Sequence, residues 1–224
     1  MNYEDLHFVT QEINCTCKGE CFGYEILTRV GKSRKSIELV LNKINEKERE
    51  DLDLLILKKI LTDVEKFPKK FININIHIGT LINKDSINIL KKLVKIGLKI
   101  NIEILETTIV DHNKDFFNIV NEKILFLQNK GINIGLDDYP DGNTKVLLKK
   151  LKNLDFIKID KQILLKKNKV FVKIINKHIN EIKRYHKDAL IVIEGVEEGK
   201  YINLLLELGV DAFQGYYFGK PKDL

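Results

Sequence analysis

The 224-residue sequence predicts an α/β fold, a modified TIM-type (β/α)8 barrel with an irregular first strand pair. Three observations carry that expectation. The second half alternates strand-like and helix-like segments with short connections, the pattern of parallel strands joined by helical crossovers. About eight strand-like segments can be counted, enough to close a barrel. The connection between the first two is too short for a helix, so the strand–helix repeat fails at its start.

Residues 6–12 read as a first short strand and Cys21 to Thr28 as a second. Near their junction stand Cys15, Cys17 and Cys21. Their C-x-C-x3-C spacing departs from zinc-binding pairs and no fourth ligand stands nearby, so reduced thiols in a turn around Lys18-Gly19-Glu20 are expected. Ser33 to Asn45 and Glu46 to Lys66 read as helices. The second places Leu52, Leu55, Ile56, Ile60, Leu61 and Val64 at helical spacing, and Pro68 ends it. Phe71 to Ile78 alternates Ile72, Ile74, Ile76 and Ile78 with Asn73, Asn75 and His77, which marks a strand. An amphipathic helix from Asp85 to Ile96 closes at Gly97. Leu98 to Leu105 alternates again, and a helix over residues 113–130 ends at Gly131. An Ile-rich strand leads into Asp137-Asp138-Tyr139, followed by a helix at about 144–152 and the strand Phe156 to Asp160. A long helix over 168–186, a strand from Leu190 to Val196, a helix over 198–208 and a last strand from Ala212 to Phe218 complete the series. No linker or low-complexity stretch divides the chain, so residues 1–224 are expected to form one domain.

Composition narrows the function classes. Hydrophobic residues make up 44% and charged residues 31%, as in ordinary globular proteins. No apolar run is long enough to span a membrane, and the N-terminus lacks the basic-then-apolar order of a signal peptide; the cytoplasm is therefore the expected compartment. The formal charge is +6, yet most lysines interleave with glutamates on helical faces, as in Asn45 to Lys70. That pattern describes solvated helices, and no nucleic-acid-binding motif accompanies it. A nucleic-acid polymer is not an expected partner.

The chemistry is expected on the strands. Parallel strands covered by helices normally read apolar on both faces. If the Ile/Val face of each strand meets the helices, the opposite face carries Glu25, Arg29, Asn75, Glu103, Asp137, Lys158, Asp160, Glu194 and Gln214 into the barrel. Neighbouring Asp137 and Asp138 would point apart on a continuing strand, so Pro140 and Gly142 are expected to stop the strand and let them converge. Carboxylates gathered this way must be protonated or bind cations. Oxygen-only ligands suit Mg2+ or Mn2+, and their number suits two ions of the kind that clamp a phosphoryl displacement. Arg29 would then take a substrate phosphate. Buried ion pairs, such as Lys158 with Asp137, are the bland alternative, and they leave most of the carboxylates uncompensated.

The motif series resembles the EAL-domain family of cyclic-di-GMP phosphodiesterases over essentially the whole chain. The naming signature appears as Glu25-Ile26-Leu27, and Asn75-Ile76-His77, Glu103-Ile104-Leu105-Glu106, Asp137-Asp138-Tyr139, Lys158-Ile159-Asp160, Glu194-Gly195-Val196-Glu197 and Gln214-Gly215-Tyr216 come after it in order. The resemblance implies that Glu25, Asn75, Glu103 and Asp137 hold one metal. Asp137, Asp138 and Glu194 would surround a second. Lys158, with Glu25 and Glu194, would serve the catalytic step. Arg29, Gln11, Gln214 and Leu27 would contact substrate, and Glu106 would anchor the loop after the aspartates. The implied reaction is two-metal, in-line attack of water on cyclic di-GMP, giving linear pGpG.

Three departures from the family pattern stand out. The loop after Asp138 reads Tyr139-Pro140-Asp141-Gly142-Asn143-Thr144-Lys145 where the family has Phe-Gly-Thr-Gly. That loop supports the second metal and the homodimer that the resemblance also implies. His77 replaces a serine and Leu105 a threonine. A histidine there reads as a hydrogen-bonded structural residue. The rival reading is a non-catalytic EAL module that binds cyclic di-GMP or a protein partner.

Overall fold

The computed structural model describes residues 5–15, 20–31, 35–37, 41, 43–105, 113–164 and 169–224. Strand β1 (Leu6–Cys15) pairs antiparallel with β2 (Glu20–Val30) on one side and with β9 (Ala212–Gln214) on the other. Between β2 and β9 the order runs through β4 (Phe71–Ile76), β5 (Lys99–Ile104), β6 (Asn133–Tyr139), β7 (Phe156–Ile159) and β8 (Leu190–Ile193). These neighbours are parallel, so a closed ring of eight strands forms in which β1 is reversed. That reversal is the irregular first pair expected from the short connection. Two-residue strands β3 (Lys35–Ser36) and β10 (Lys222–Asp223) extend β2 and β1.

The connections are helical: α1 (Glu46–Thr62), α2 (Lys84–Lys95), α3 (Lys114–Gln128), α4 (Thr144–Lys150), α5 (Lys169–Tyr185) and α6 (Ile202–Glu207). Asparagine stands at the start of four of them and its side chain caps three. Asn45 Oδ1 accepts from Glu48 N at 3.0 Å while Glu48 Oε2 accepts from Asn45 N at 2.8 Å, a reciprocal capping box. Asn83 and Asn113 cap α2 and α3 in the same sense, each side chain accepting from first-turn N–H groups. No described helix is long and apolar enough to cross a membrane.

The helix predicted over Ser33 to Asn45 is met only in part among the described residues: Leu41 is helical, its N–H donating to Ile37 O at 3.0 Å. Lys35 and Ser36 pair with β2 as a strand, and residues 43–45 form a turn. Ladder partners on β2 outweigh the local helical pattern there. The first two strands are longer than expected, reaching Cys15 and Val30, and the last is shorter, ending at Gln214. The Cys17 thiol and the side chains of Cys15 and Cys21 lie outside the described residues, so the cysteine reading stays an expectation.

Two cores result. Ile72, Ile74, Ile76, Ile100, Ile102, Ile104, Ile157, Ile159, Ile191 and Ile193 face the helices and are essentially inaccessible. This is the Ile face assigned from alternation. Inside the barrel a separate small cluster of Ile13, Phe156, Val192 and Ala212 fills part of the floor. Gly135 makes room for it, because a Cβ there would collide with the Phe156 ring.

Candidate active site

The convergence of Asp137 and Asp138 has a different cause from the expected one. Strand β6 does end at Tyr139, immediately before Pro140 as expected, but both aspartates lie inside the strand rather than beyond its stop. Leu136 pairs with Ile157 and Tyr139 with Ile159, so two β6 residues stand opposite the single Lys158 of β7. This is a β-bulge. Asp138 takes φ 51°, a left-handed conformation that aspartate tolerates better than most residues. Leu136 and Tyr139 both remain buried in the helical layer while both aspartates turn to the mouth. The Tyr139 hydroxyl fastens the bulge from behind by donating to Glu181 Oε2 on α5 at 2.9 Å.

Lys158 is the centre of the cluster and is fully buried. Its Nζ lies 2.5 Å from Glu194 Oε1, 3.0 Å from Glu103 Oε2, 3.2 Å from Glu25 Oε2 and 3.2 Å from Asp137 Oδ1. The Lys158–Asp137 pair of the bland alternative is therefore present, as one contact of four. Glu25 Oε1 also accepts from Asn75 Nδ2 at 2.8 Å, and its Oε2 from Gln214 Nε2 at 2.6 Å. Gln214 reaches Gln11 Oε1 at 3.3 Å, and Gln11 donates to Gly219 O at 3.0 Å, tying β1 and β9 to the site.

Burial and mutual repulsion dominate the electrostatics. Burial pushes Glu103 well above the usual carboxylate range, with the charges of Glu25 and Asp137 adding to it against Lys158. Burial likewise raises Asp137, and it takes Asp138 to about 7 with the Asp137 charge beside it. Glu194 is raised to about 8, chiefly by burial and partly relieved by Lys158. Glu25 is also desolvated, yet Lys158 and the amides of Gln214 and Asn75 hold it below its usual value. Desolvation opposes the charge on Lys158, but the four carboxylates around it drive its value well up.

These donors fit a hard cation. Glu25, Glu103 and Asp137 can each bring an oxygen within 4.8 Å of the others, and so can Asp137, Asp138 and Glu194. Buried Asn75 Oδ1 and Gln214 Oε1 accept no hydrogen bond, leaving lone pairs unspent inside the cluster. Oxygen-only donors with unspent lone pairs are what Mg2+, Mn2+ or Ca2+ coordination requires. The two trios share Asp137.

The cluster opens into a cleft of about 520 Å3. Gln11, Glu25, Leu27, Arg29, Asn75, Asp137, Asp138, Glu194 and Gln214 all line it, as does Asp160. Glu103 and Lys158 do not line it; both are fully buried behind Glu25 and Asp137. Glu106 lies outside the described residues. Asp160 is engaged locally: its Oδ1 accepts from Gln162 N at 2.7 Å and caps a short 3-10 turn. His77 is structural, as expected. Its Nδ1 and backbone N–H meet Asp53 of α1 at 3.1 and 2.8 Å, and Thr80 donates to the same carboxylate at 2.7 Å.

Sequence reasoning misses the run of buried Asn73 and Asn101 with half-buried Asn133. A signal is present, because Asn73 belongs to the same alternation that singles out Asn75. The abundance of Asn throughout the chain masks it.

The fold and site define a class, a (β/α)8-type barrel with a buried lysine and five carboxylates gathered at its mouth, a donor set that could hold metal ions. The family comes from comparison. A model of the EAL domain matches residues 4–221, and the chain belongs to the EAL domain family. Among curated relatives, the cyclic di-GMP phosphodiesterase PdeA of Borreliella burgdorferi is 28% identical over 78% of this chain, and PdeL of Escherichia coli 26% over 94%. The aligned parts span 27% and 61% of those two proteins. Among solved structures, a calcium and cyclic-di-GMP complex of Klebsiella pneumoniae BlrP1 superposes with a TM-score of 0.78 at 23% identity, over 97% of this chain and 56% of that one. A standalone EAL protein of Vibrio cholerae in its c-di-GMP-bound form gives 0.76 at 23% identity, over 97% and 92%. The structural likeness establishes the fold.

Proposed function

We propose that residues 1–224 act as a single EAL-type domain that hydrolyses cyclic di-GMP to linear pGpG with two divalent ions, Mg2+ or Mn2+. The observation that carries this reading is the pair of oxygen trios sharing Asp137 at the base of a cleft that Arg29 also lines. The phosphodiesterase names of PdeA and PdeL support it. So do the nucleotide complexes among the structural relatives, one with calcium and one with manganese.

Glu25, Asn75, Glu103 and Asp137 would hold one ion, and Asp137, Asp138 and Glu194 the other. When bound, the ions supply Lewis acidity, lowering the pKa of water and neutralising phosphate charge. The protein supplies placement. Lys158 keeps a fixed positive charge beside the reacting phosphorus, so charge developing there needs no reorganisation of the site. Glu194 and Glu25 flank Lys158 and orient the attacking water with it. The guanidinium of Arg29 takes a phosphate, while Gln11, Leu27 and Gln214 border the nucleotide. Water enters in line, the P–O3′ bond breaks, and the 3′ oxygen leaves with a proton.

The test is incubation of purified protein with cyclic di-GMP and Mg2+, Mn2+ or Ca2+, with products separated by ion-exchange chromatography. Accumulation of pGpG with Mg2+ or Mn2+ is expected. Nucleotide binding without pGpG under any metal would replace this reading by that of a non-catalytic receptor.

A further inference from the structure

Beneath the acidic cluster the barrel floor has two unlike halves. Asn73, Asn101, Phe156, Val192 and Ala212 each stand two residues before a cluster side chain, so alternation places all five inside the barrel, one layer below it. On one side that layer is apolar, formed by Phe156, Val192 and Ala212 with Ile13. On the other it is a run of amides. Asn133, Asn101 and Asn73 are direct register partners on β6, β5 and β4. Asn133 Nδ2 donates to Asn101 Oδ1 at 2.9 Å, Asn101 Nδ2 to Asn73 Oδ1 at 2.9 Å, and Asn73 Nδ2 to Glu103 Oε1 at 2.5 Å. Asn73 and Asn101 are 2% and 1% exposed.

The direction of this run follows from Glu103 as a metal ligand, whose ionised carboxylate only accepts: Asn73 turns its NH2 to Glu103 and its oxygen to Asn101. Asn101 must then turn its oxygen to Asn133. All three amide dipoles therefore point their donor ends at one oxygen of Glu103, and aligned hydrogen bonds strengthen one another. Buried amides cost stability relative to an apolar filling such as the one opposite. Their position under Glu103 gives that cost a reason.

We infer that Asn73, backed by Asn101 and Asn133, is a positioning residue for the metal centre. It ties down Glu103 Oε1, so that Oε2, the oxygen facing Lys158, is the one offered to a cation. The inference rests on reading Glu103 as a metal ligand. Groups that orient ligating carboxylates typically change metal affinity by about 10–100-fold when removed.

The experiment is calorimetric titration of Mn2+ into metal-free wild-type protein and into Asn73→Leu, Asn73→Ser and Asn101→Leu, with circular dichroism checking the fold of each. The Asn73 variants are expected to bind Mn2+ about 10-fold more weakly. Asn101→Leu leaves Asn73 in place but unbacked, and a smaller loss, about 3-fold, is expected. Folded Asn73 variants that bind within twofold of wild type would overturn the inference while leaving the metal reading intact. A wild-type protein that binds no Mn2+ would overturn both. Should Asn73→Leu fail to fold, the Ser and Asn101 variants decide the matter alone.

Discussion

At the scale of single residues, Lys158 explains how this acidic cluster exists without disrupting the fold. One ammonium within 3.2 Å of four carboxylates compensates part of their burial. The remainder shows in the raised values of Asp138, about 7, and Glu194, about 8. Both lie above their unfolded values, so the folded metal-free protein holds more protons than the unfolded chain across the interval between. Stability from these two groups is present at acid pH and is lost as pH rises through 7 and 8. Chemical denaturation of chelator-treated protein from pH 5 to 9 should show that decline; a rise with pH would contradict it. Ion binding must expel the same protons, so Mn2+ affinity should climb over the same interval and then level off. Glu25→Ala removes a proposed ligand that both Lys158 and Gln214 contact, and it should abolish pGpG formation and weaken Mn2+ binding. Wild-type turnover in that variant would refute the assignment. Lys158, Glu194 and Glu25 were legible in the sequence because alternation alone sends them inward. The fourfold engagement of Lys158 was not, since pairwise reasoning offered only Asp137 as its partner.

At the scale of elements, the bulge in β6 does what the sequence reading assigned to Pro140. A bulge inserts one residue and reverses the facing of the residues beyond it, which no local pattern in Gly135-Leu136-Asp137-Asp138-Tyr139 announces. It depends on Asp138 at φ 51°. Asp138→Val should therefore lower the stability of metal-free protein by about 1–2 kcal/mol more than Asp138→Asn, because a β-branched residue resists the left-handed region. Equal denaturation midpoints for the two variants would show that the bulge does not need that conformation. Gly135 answers to a different constraint. Its missing Cβ admits the Phe156 ring, and Gly135→Ala should cost about 1–3 kcal/mol through overpacking. The two-residue strand at Lys35 was invisible for the opposite reason: its ladder partners on β2 are decided by the tertiary fold, while its neighbours carry a helical pattern.

At the scale of the whole molecule, the barrel was legible because the signals repeat: Ile-rich alternation, helix, glycine stop, several times over. What repetition does not reveal is the interior, where an apolar wedge and an amide run share one floor. Compositional abundance of Asn hid the second, and the same abundance hid the helix caps at Asn45, Asn83 and Asn113. The closed ring also sets how the site holds the chain together. Glu25 meets Lys158 across 133 residues of sequence and Gln214 across 189. Ions seated among Glu25, Asn75, Glu103 and Asp137 and among Asp137, Asp138 and Glu194 would therefore be a clasp on chain topology, in the way a cross-link between distant positions is. None of β2, β4, β5, β6 and β8 could peel away without surrendering a ligand on it or at its end, so their partial openings would merge into one. Native-state hydrogen exchange should then show β2, β4, β5, β6 and β8 exchanging with a common opening energy in Mn2+, and separating into strand-by-strand values once the ions are chelated.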